Sequence, residues 1–262
     1  MKHKTSNTIV SYSAPAKVIL SGEHAAVYSK PALVSAIDLR LTCSITEHEG
    51  SSKKINTSKE ISLISDKVRS YLKKQKDHFH DKKFSCMIKS AVPLARGLGS
   101  SAALSVATAA AFLEFYTGKE FEKEKINNLA YEIEKHFHKI PSGLDVSASC
   151  FGGLIYFRKE FEFLKNISSL NFKITKNIED RLYLIDSGRP RESTAEMINL
   201  VGKRLNQKYR FVEQILNDVE KVTKRIVVSL VKEDTKFFMQ SIVNNQVLLE
   251  MLGVVSIKTK KL

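Results

Sequence analysis

Hydrophobic and polar residues follow regular periods along most of the chain, and these periods predict its elements. Residues 8–12 and 17–20 are rich in apolar and β-branched residues, which predicts two short strands. Pro15 interrupts this run and fits either a turn or an edge strand, because proline cannot donate to a strand ladder. Apolar residues at every second position within residues 33–46 predict a third strand, and residues 84–92 predict a shorter one.

Spacings of three and four residues predict helices further along the chain. They place one helix at residues 61–74, a second at residues 101–116 and a third at residues 122–138. Gly118 is expected to end the second helix, since glycine is the usual residue just past a helix end. The last third of the chain combines a strand-like segment with two more helices, at residues 182–186, 212–226 and 238–249.

These elements alternate irregularly, with strands both before and between the helices. Such an order favours an α+β fold over a regularly wound parallel sheet. A chain of 262 residues is long enough for one or two domains. The polar, mixed segment at residues 158–179 is the best candidate for a boundary.

The most informative stretch is residues 93–103, where two glycines and two serines lead into a run of small residues. Glycine lets a ligand approach the backbone amides closely. A helix that begins at about Ser100 directs unpaired N–H groups and a positive dipole end into the loop, which suits phosphate. The alternative is a plain loop with Ser100 or Ser101 as the helix N-cap. The stretch is not a Walker A loop, because no lysine follows the glycines.

Composition and charge narrow the class of protein. Hydrophobic residues make up 43% and charged residues 27% of the chain, as in globular proteins. The net charge of +14 comes from scattered lysines without a motif that reads DNA or RNA, so an anionic small molecule is the better partner. The apolar run at residues 102–113 is too short to span a bilayer. Because residues 1–8 also lack the pattern of a signal peptide, we expect a cytoplasmic protein. Three widely spaced cysteines predict a reducing compartment without a disulfide framework or a zinc site: Cys43, Cys86 and Cys150.

Phosphoryl transfer needs a phosphate cradle, Mg²⁺, a nearby positive charge and a group that orients the acceptor. Ser101 and Glu134 are candidate Mg²⁺ ligands, because this ion binds oxygen and keeps several waters. Glu134 falls at the edge of the apolar stripe of its predicted helix, so it is either a ligand or a solvated carboxylate. The His-x-His pairs at residues 78–80 and 136–138 have no cysteine nearby and are interpreted as surface features.

Four more residues are candidates for the chemistry of an acceptor hydroxyl. Asp145 follows a helix-breaking Pro-Ser-Gly-Leu run and is either a helix cap or a general base. Lys17, at a strand end, would hold an aspartate ionised and lower the pKa of the hydroxyl, or is an ordinary edge lysine. Glu23 and His24 directly follow an apolar strand and suit hydrogen bonding to a small polar substrate.

The segments that contain these residues resemble the signatures of a known family. Residues 14–24, Ala-Pro-Ala-Lys-Val-Ile-Leu-Ser-Gly-Glu-His, resemble the first signature of the GHMP kinases, and residues 93–103 resemble the second, the phosphate loop. Within that family, residues 23–28 are most similar to mevalonate kinases. Residues 134–145 and the pair at 152–153 are similar to that branch in order and spacing, so the resemblance covers nearly the whole chain.

The resemblance implies ATP-dependent phosphorylation of the primary hydroxyl of mevalonate, a step of isoprenoid biosynthesis, with Mg²⁺ as the cofactor. It also implies two α+β domains with the active site between them, an ATP-binding domain at residues 1–170 and a second domain at residues 171–262. Dimers are common in the family. Two alternatives stay open at this point: another small-molecule GHMP kinase, or a non-catalytic nucleotide-binding protein.

The resemblance also implies a role for each matching residue. The Mg²⁺ ligands are Ser101 and Glu134. Asp145 is the catalytic carboxylate, and Lys17 activates the hydroxyl and contacts phosphate. The remaining assignments place the substrate at Glu23, His24 and, by a looser match, Thr194, and the ATP phosphates at Pro93, Arg96, Gly97, Leu98, Gly99, Ser100, Ser101 and Ala102.

One departure from the family concerns its third signature, a glycine-rich loop in the C-terminal domain, which this sequence does not contain. Residues 248–254 resemble the helix and turn that come before that loop, and residues 258–262 follow shortly afterwards. We therefore expect a truncated second domain that lacks sheet strands and exposes apolar surface. The same departure is the reason for keeping the non-catalytic alternative.

Overall fold

The computed structural model describes residues 9–48, 58–138, 141–190 and 192–261. Its strands pair in antiparallel fashion and alternate irregularly with helices, which confirms the α+β fold. The elements, in chain order, are β1 (Ile9–Ser21), β2 (Ala32–Glu47), α1 (Lys59–Gln75), β3 (Phe84–Ser90), α2 (Ser100–Thr117), α3 (Lys123–Phe137), α4 (Leu144–Phe151), β4 (Leu154–Phe161), β5 (Leu164–Leu170), α5 (Lys176–Glu179), α6 (Thr194–Gln207), α7 (Tyr209–Val231) and α8 (Thr235–Leu252).

The chain forms two compact units and passes between them several times. The first unit comprises the described residues within Met1–Ala16, Ile37–Leu94 and Gly99–Cys150, and the second comprises those within Lys17–Ala36, Ala95–Leu98 and Phe151–Leu262. The family resemblance predicts a different kind of division, with one boundary between a domain at residues 1–170 and a domain at residues 171–262. This division into two continuous domains stays a prediction.

In the first unit, β3 pairs with residues 41–47 of β2, and α2 is buried along most of its length. Its alanines allow close packing, and the rings of Phe112 and Tyr116 stack with centroids 5.8 Å apart. The Tyr116 hydroxyl lies 2.7 Å from that of Ser65 on α1, so its polar end is satisfied inside the core. Among the described residues, no helix combines the length and the apolar character needed to cross a bilayer.

In the second unit, β4 pairs with residues 32–35 of β2 on one side and with β5 on the other. Helix α7 buries an apolar stripe, as its three- and four-residue spacing predicts, whereas the buried stripe of α8 also contains Ser241 and Asn245. One core cluster joins the strands to these helices and consists of Leu33, Leu154, Ile178, Val222, Ile226, Leu230 and Phe238.

Of the two alternatives for Pro15, the turn is wrong, because β1 runs through this residue without interruption, and the edge strand is confirmed. The strand order is β1-β2-β4-β5, with β3 also paired to β2, so β1 is an end strand. An end strand tolerates proline because its outer edge needs no N–H donor. Thr8, the first residue of the first predicted strand, lies outside the described residues.

The strand predicted at residues 182–186 is also wrong, since this segment has no regular structure. Tyr183 and Ile185 are 82% and 62% exposed. A strand needs a hydrogen-bonded neighbour, and none of the described strands pairs with this segment. The chain turns directly afterwards, where the Gly188 amide donates to Asp186 Oδ1 over 2.8 Å.

Candidate active site

The loop between β3 and α2 has left-handed backbone at alternate residues. The φ angles are +57° at Ala95, +75° at Gly97 and +74° at Gly99. The glycines adopt this conformation at little cost, whereas Ala95 is strained. Strain of this kind persists where the surroundings fix it, which is common at ligand-binding loops.

Helix α2 begins directly after this loop, with Gly99 as its N-cap and no side-chain cap. The alternative with Ser100 or Ser101 as the N-cap is therefore wrong. The amides of the first turn have no acceptor inside the helix, and the helix dipole adds positive potential. This end of α2 can hold an anion such as phosphate.

The Ser101 hydroxyl binds a buried carboxylate instead of capping the helix. Ser101 donates to Glu134 Oε1 over 2.8 Å, and Ser105 donates to Oε2 over 3.0 Å. The Glu134 side chain, on α3, is only 4% exposed, so the solvated alternative for it is wrong. Burial raises the pKa of Glu134, and the hydrogen bond from Ser101 opposes that rise.

Two further groups lie near this carboxylate. His138 Nε2 lies 3.3 Å from Glu134 Oε1 and 3.2 Å from Ser101 Oγ. Asp145, in the first turn of α4, is close enough for its charge to raise the pKa of Glu134. The structure thus brings Ser101, Glu134 and Asp145 together. Sequence reasoning missed the part played by His138, although its spacing of four residues from Glu134 was a usable signal.

In the second unit, the lysine of the first signature is attached to the phosphate loop. The backbone amide of Lys17 donates to the carbonyl oxygen of Leu98 over 3.0 Å. Lys17 lies inside β1 rather than at its end and is only 5% exposed, so it is not an ordinary edge lysine. Lysine is rarely buried to this extent, which favours a functional role.

Glu23 and His24 follow β1 in a tight turn. His24 has a left-handed φ of +62°, which is a second strained position in the signatures. Burial lowers the pKa of His24 and so favours the neutral imidazole. Burial raises the pKa of Glu23, whereas its own backbone amide and the charge of Lys17 lower it.

Arg96 contacts a turn far along the chain. Its Nε lies 3.4 Å from Asp186 Oδ2, and the carboxylate also accepts from the Gly188 amide. The Lys258 ammonium donates to the carbonyl oxygen of Ser187 in the same turn. No sequence signal pointed to this network, because its members are common surface residues with no fixed spacing.

For three other predicted site residues, the structure gives a position but no contact that indicates a role. Pro93 is exposed before the loop, and Ala102 is buried in the first turn of α2. Thr194 begins α6, directly after its N-cap Ser193. The side chain of Thr194 lies outside the described part of the chain, so its role stays a prediction.

Known proteins resemble this chain over most of its length. Residues 64–153 match the GHMP kinases N terminal domain. The mevalonate kinase of Pyrococcus abyssi is 32% identical in a match that covers 97% of this chain and 80% of that protein. The mevalonate kinase of Methanothermobacter thermautotrophicus is 31% identical, with 93% and 78% covered.

Solved structures resemble it in fold. The Methanococcus jannaschii mevalonate kinase aligns with a TM-score of 0.70 at 24% identity, covering 97% of this chain and 82% of that one. The L. major mevalonate kinase, solved in complex with R-mevalonate, aligns with a TM-score of 0.73 at 22% identity, covering 96% and 78%.

A glycine loop that leads into a helix, with a buried carboxylate bound to the first turn of that helix, is typical of a phosphate-binding enzyme site. With the sequence matches, these features show that the chain belongs to the GHMP kinase family. Within that family, three relatives that it matches at 31–33% identity are mevalonate kinases.

Proposed function

We propose that this chain transfers the γ-phosphoryl group of ATP to the primary hydroxyl of mevalonate. The observation that carries the proposal is the Glu134 carboxylate, buried and hydrogen-bonded to Ser101 at the start of α2. Burying a carboxylate costs stability, so such a group is most readily explained by a ligand that needs it. The mevalonate kinases of P. abyssi and M. thermautotrophicus support the choice of substrate.

The donor set at Glu134 fits Mg²⁺. A carboxylate oxygen and the Ser101 hydroxyl lie 2.8 Å apart, and both are hard oxygen ligands. The described ranges contain no group of three or more acidic, histidine or cysteine side chains placed to hold a metal ion by themselves. Mg²⁺ does not need such a group, because it keeps waters and binds nucleotide phosphates. When bound, the ion would neutralise charge on those phosphates.

The phosphates of ATP are assigned to the loop and to the first turn of α2. Gly97 and Gly99 expose the backbone to a close approach, and the amides of residues 100–102 supply donors. Arg96 adds a positive charge beside the loop. The net charge of +14 favours the approach of a polyanionic nucleotide.

The alcohol substrate is assigned to Glu23 and His24. Glu23 Oε2 is buried and has no hydrogen-bond partner in the described structure. Buried polar atoms are normally paired, so a substrate hydroxyl would satisfy this oxygen. Mevalonate carries two hydroxyls that can donate to it.

Asp145 is assigned as the group that accepts the proton of the attacking hydroxyl. Lys17 is assigned to stabilise the negative charge that develops on the transferred phosphoryl group. We further propose a cytoplasmic homodimer, as is common in the family. Sedimentation equilibrium of the purified chain tests the dimer.

A substrate panel tests the proposed function. The chain is incubated with ATP, Mg²⁺ and one of four acceptors: mevalonate, phosphomevalonate, homoserine or galactose. Of the four acceptors, only mevalonate should give a new phosphomonoester signal in phosphorus NMR. Turnover of a different acceptor would replace the substrate assignment, and ATP binding without turnover of any acceptor would favour a non-catalytic nucleotide-binding protein.

A further inference from the structure

Two cysteine side chains meet between β2 and β3 of the first unit. In the antiparallel register of these strands, Cys43 lies opposite Ile88, and Cys86 lies opposite Ile45. Opposite residues share one face of a sheet, and so do residues two apart along a strand, so Cys43 and Cys86 are diagonal neighbours on the same face. The register therefore brings together two thiols that are far apart in the sequence.

The two sulfur atoms are in direct contact. Their Sγ atoms lie 3.5 Å apart, as in a weak S–H···S hydrogen bond, and both thiols are free. A disulfide needs about 2 Å between the sulfurs, so closing it requires an approach of about 1.5 Å. Rotation of the two side chains about their Cα–Cβ bonds moves the sulfurs by distances of this order. The reduced pair is therefore one short movement away from a disulfide.

The two thiols differ in access and in acidity. Cys43 is fully buried, whereas Cys86 is half-buried. The hydrogen bond between them lowers the pKa of Cys86, against the effect of burial, and the same bond together with burial raises the pKa of Cys43. The thiolate is the nucleophile in thiol chemistry. Cys86 is therefore the thiol that a small oxidant meets first, and Cys43 lies behind it as the resolving thiol.

The third cysteine has different surroundings. Cys150, on α4, donates to the carbonyl oxygen of Lys123 over 3.2 Å, and burial raises the pKa of this thiol to about 12. A thiol that keeps its proton is a poor nucleophile. Cys150 thus provides an internal comparison for the pair.

The surroundings of the pair suit thiol chemistry better than metal binding. In the part of the chain that the structure describes, no third cysteine, histidine or acidic side chain joins the pair in a group that could hold a metal ion. Structural zinc is held by four protein ligands, and two thiolates alone do not make such a site.

We propose that Cys43 and Cys86 form a peroxide-sensitive modification site, which closes into a reversible disulfide between β2 and β3. The oxidant is hydrogen peroxide, a molecule small enough to reach a half-buried sulfur. Because both thiols are free in the structure, the disulfide is a second state of the chain and not a part of its resting fold. The inference does not depend on the proposed function, since neither cysteine is assigned to ATP, Mg²⁺ or mevalonate.

The oxidation takes place in two balanced steps. The Cys86 thiolate attacks a peroxide oxygen, so that an S–O bond forms and the O–O bond breaks, and the leaving hydroxide takes up the proton that Cys86 released. The Cys43 sulfur then attacks the Cys86 sulfur, an S–S bond forms, and the S–O bond breaks as hydroxide leaves with the Cys43 proton as water. Overall, the two thiols lose two electrons and two protons, and hydrogen peroxide is reduced to two waters. An added thiol reverses the oxidation by thiol–disulfide exchange.

Peroxide treatment of the purified, reduced chain tests the inference. Thiol titration after unfolding should show the number of free thiols falling from three to one. Mass spectrometry should show the loss of two hydrogens and a cross-linked pair of peptides that contain Cys43 and Cys86. Dithiothreitol should restore all three thiols. Cys86 should react at least about tenfold faster than Cys150, because more of it is thiolate.

Single cysteine variants separate the two roles within the pair. Cys150→Ala is the matched control and should form the disulfide as readily as the wild type. In Cys43→Ala the resolving thiol is missing, so Cys86 should stop at the sulfenic acid, which dimedone traps. In Cys86→Ala the buried Cys43 should keep its free thiol. If either variant of the pair fails to fold, the wild type and Cys150→Ala still decide the question.

Three results in the wild type would overturn the inference. The first is a chain that keeps all three thiols after peroxide treatment. The second is a disulfide that includes Cys150 or joins two chains. The third is oxidation of Cys86 to the sulfinic acid without the cross-link to Cys43.

Discussion

The backbone amide of Lys17 donates a hydrogen bond to the carbonyl oxygen of Leu98 over 3.0 Å. The two residues belong to the first and second signatures, which are far apart in the sequence. Because the bond joins main-chain atoms, it does not depend on the lysine side chain. The Lys17 ammonium can therefore be removed while the attachment of β1 to the phosphate loop is kept.

Because this main-chain bond is kept, Lys17→Met tests what the positive charge of the Lys17 side chain contributes to catalysis. We expect kcat for mevalonate to fall at least ~10²-fold, since a charge aimed at a developing negative group contributes several kcal/mol in a buried site. Thermal unfolding should change little. Lys30→Met is the control, because Lys30 binds Asn217 over 2.6 Å and Glu213 over 3.4 Å, and it should affect stability rather than kcat. Equal kcat values for Lys17→Met and the wild type would refute the assignment.

The Mg²⁺ assignment predicts a change in metal dependence when Ser101 is replaced by alanine. The concentration of Mg²⁺ for half-maximal ADP release should rise about tenfold, because the variant loses one ligand and the hydroxyl that orients Glu134. Chelation should abolish turnover in the wild type, and added Mg²⁺ should restore it. An unchanged Mg²⁺ requirement in the variant would place the metal elsewhere.

Gly22 should not tolerate a side chain. Its φ is +92°, and an added Cβ would lie 2.4 Å from the Pro31 oxygen and 2.5 Å from Ala32 Cα. We expect Gly22→Ala to lower the free energy of unfolding by about 3 kcal/mol or more, because backbone has to move. Gly118→Ala, at φ +70° with nothing within 4 Å of its Cβ, should cost only about 1 kcal/mol. Urea denaturation measures both, and similar losses would contradict the steric argument.

The buried carboxyl of Glu23 predicts a pH-dependent stability. Its pKa is raised above the usual 4.5, chiefly by burial, so the folded chain binds the proton more tightly than the unfolded chain does. Stability is therefore fully present below the unfolded value and declines as the pH rises through the folded pKa.

Glu23→Gln should remove this decline. Above the folded pKa of Glu23, the variant should be more stable than the wild type by about 1.4 kcal/mol for each unit of pKa shift, while it loses affinity for mevalonate. Denaturant titrations across this pH range measure the difference. If the free energy of unfolding of the wild type instead rises with pH, relative to that of Glu23→Gln, the pKa of Glu23 is lowered in the folded chain and the prediction is wrong.

Regular periods in the sequence predicted most elements, because amphipathic helices and alternating strands carry their own signal. The stripe of α3 even placed Glu134 at the edge of the core, where it is found buried. The edge alternative for Pro15 was also available from the sequence, because proline lacks the N–H that an inner strand needs. The failure at residues 182–186 has a different cause: a strand exists only with its neighbours, and the lack of a described partner for this segment is not visible in its local pattern.

The residues of the candidate site also fall into two groups, those that the sequence could indicate and those that it could not. Lys17, Ser101, Glu134 and Asp145 lie in or near recognisable motifs, so the sequence could point to them. The contact between Arg96 and Asp186 could not be found in this way, because the two residues are far apart in the sequence and look like ordinary surface residues. Contacts of this kind leave no local motif.

The most direct test of the account is mevalonate-dependent ADP release by the purified chain with ATP and Mg²⁺, measured beside Asp145→Ala. The wild type should release ADP only when mevalonate is present. Asp145→Ala should remain folded and bind ATP but release ADP at least ~10²-fold more slowly, since it lacks the proton acceptor. A folded wild type without mevalonate-dependent release, or an Asp145→Ala variant as fast as the wild type, would contradict the account.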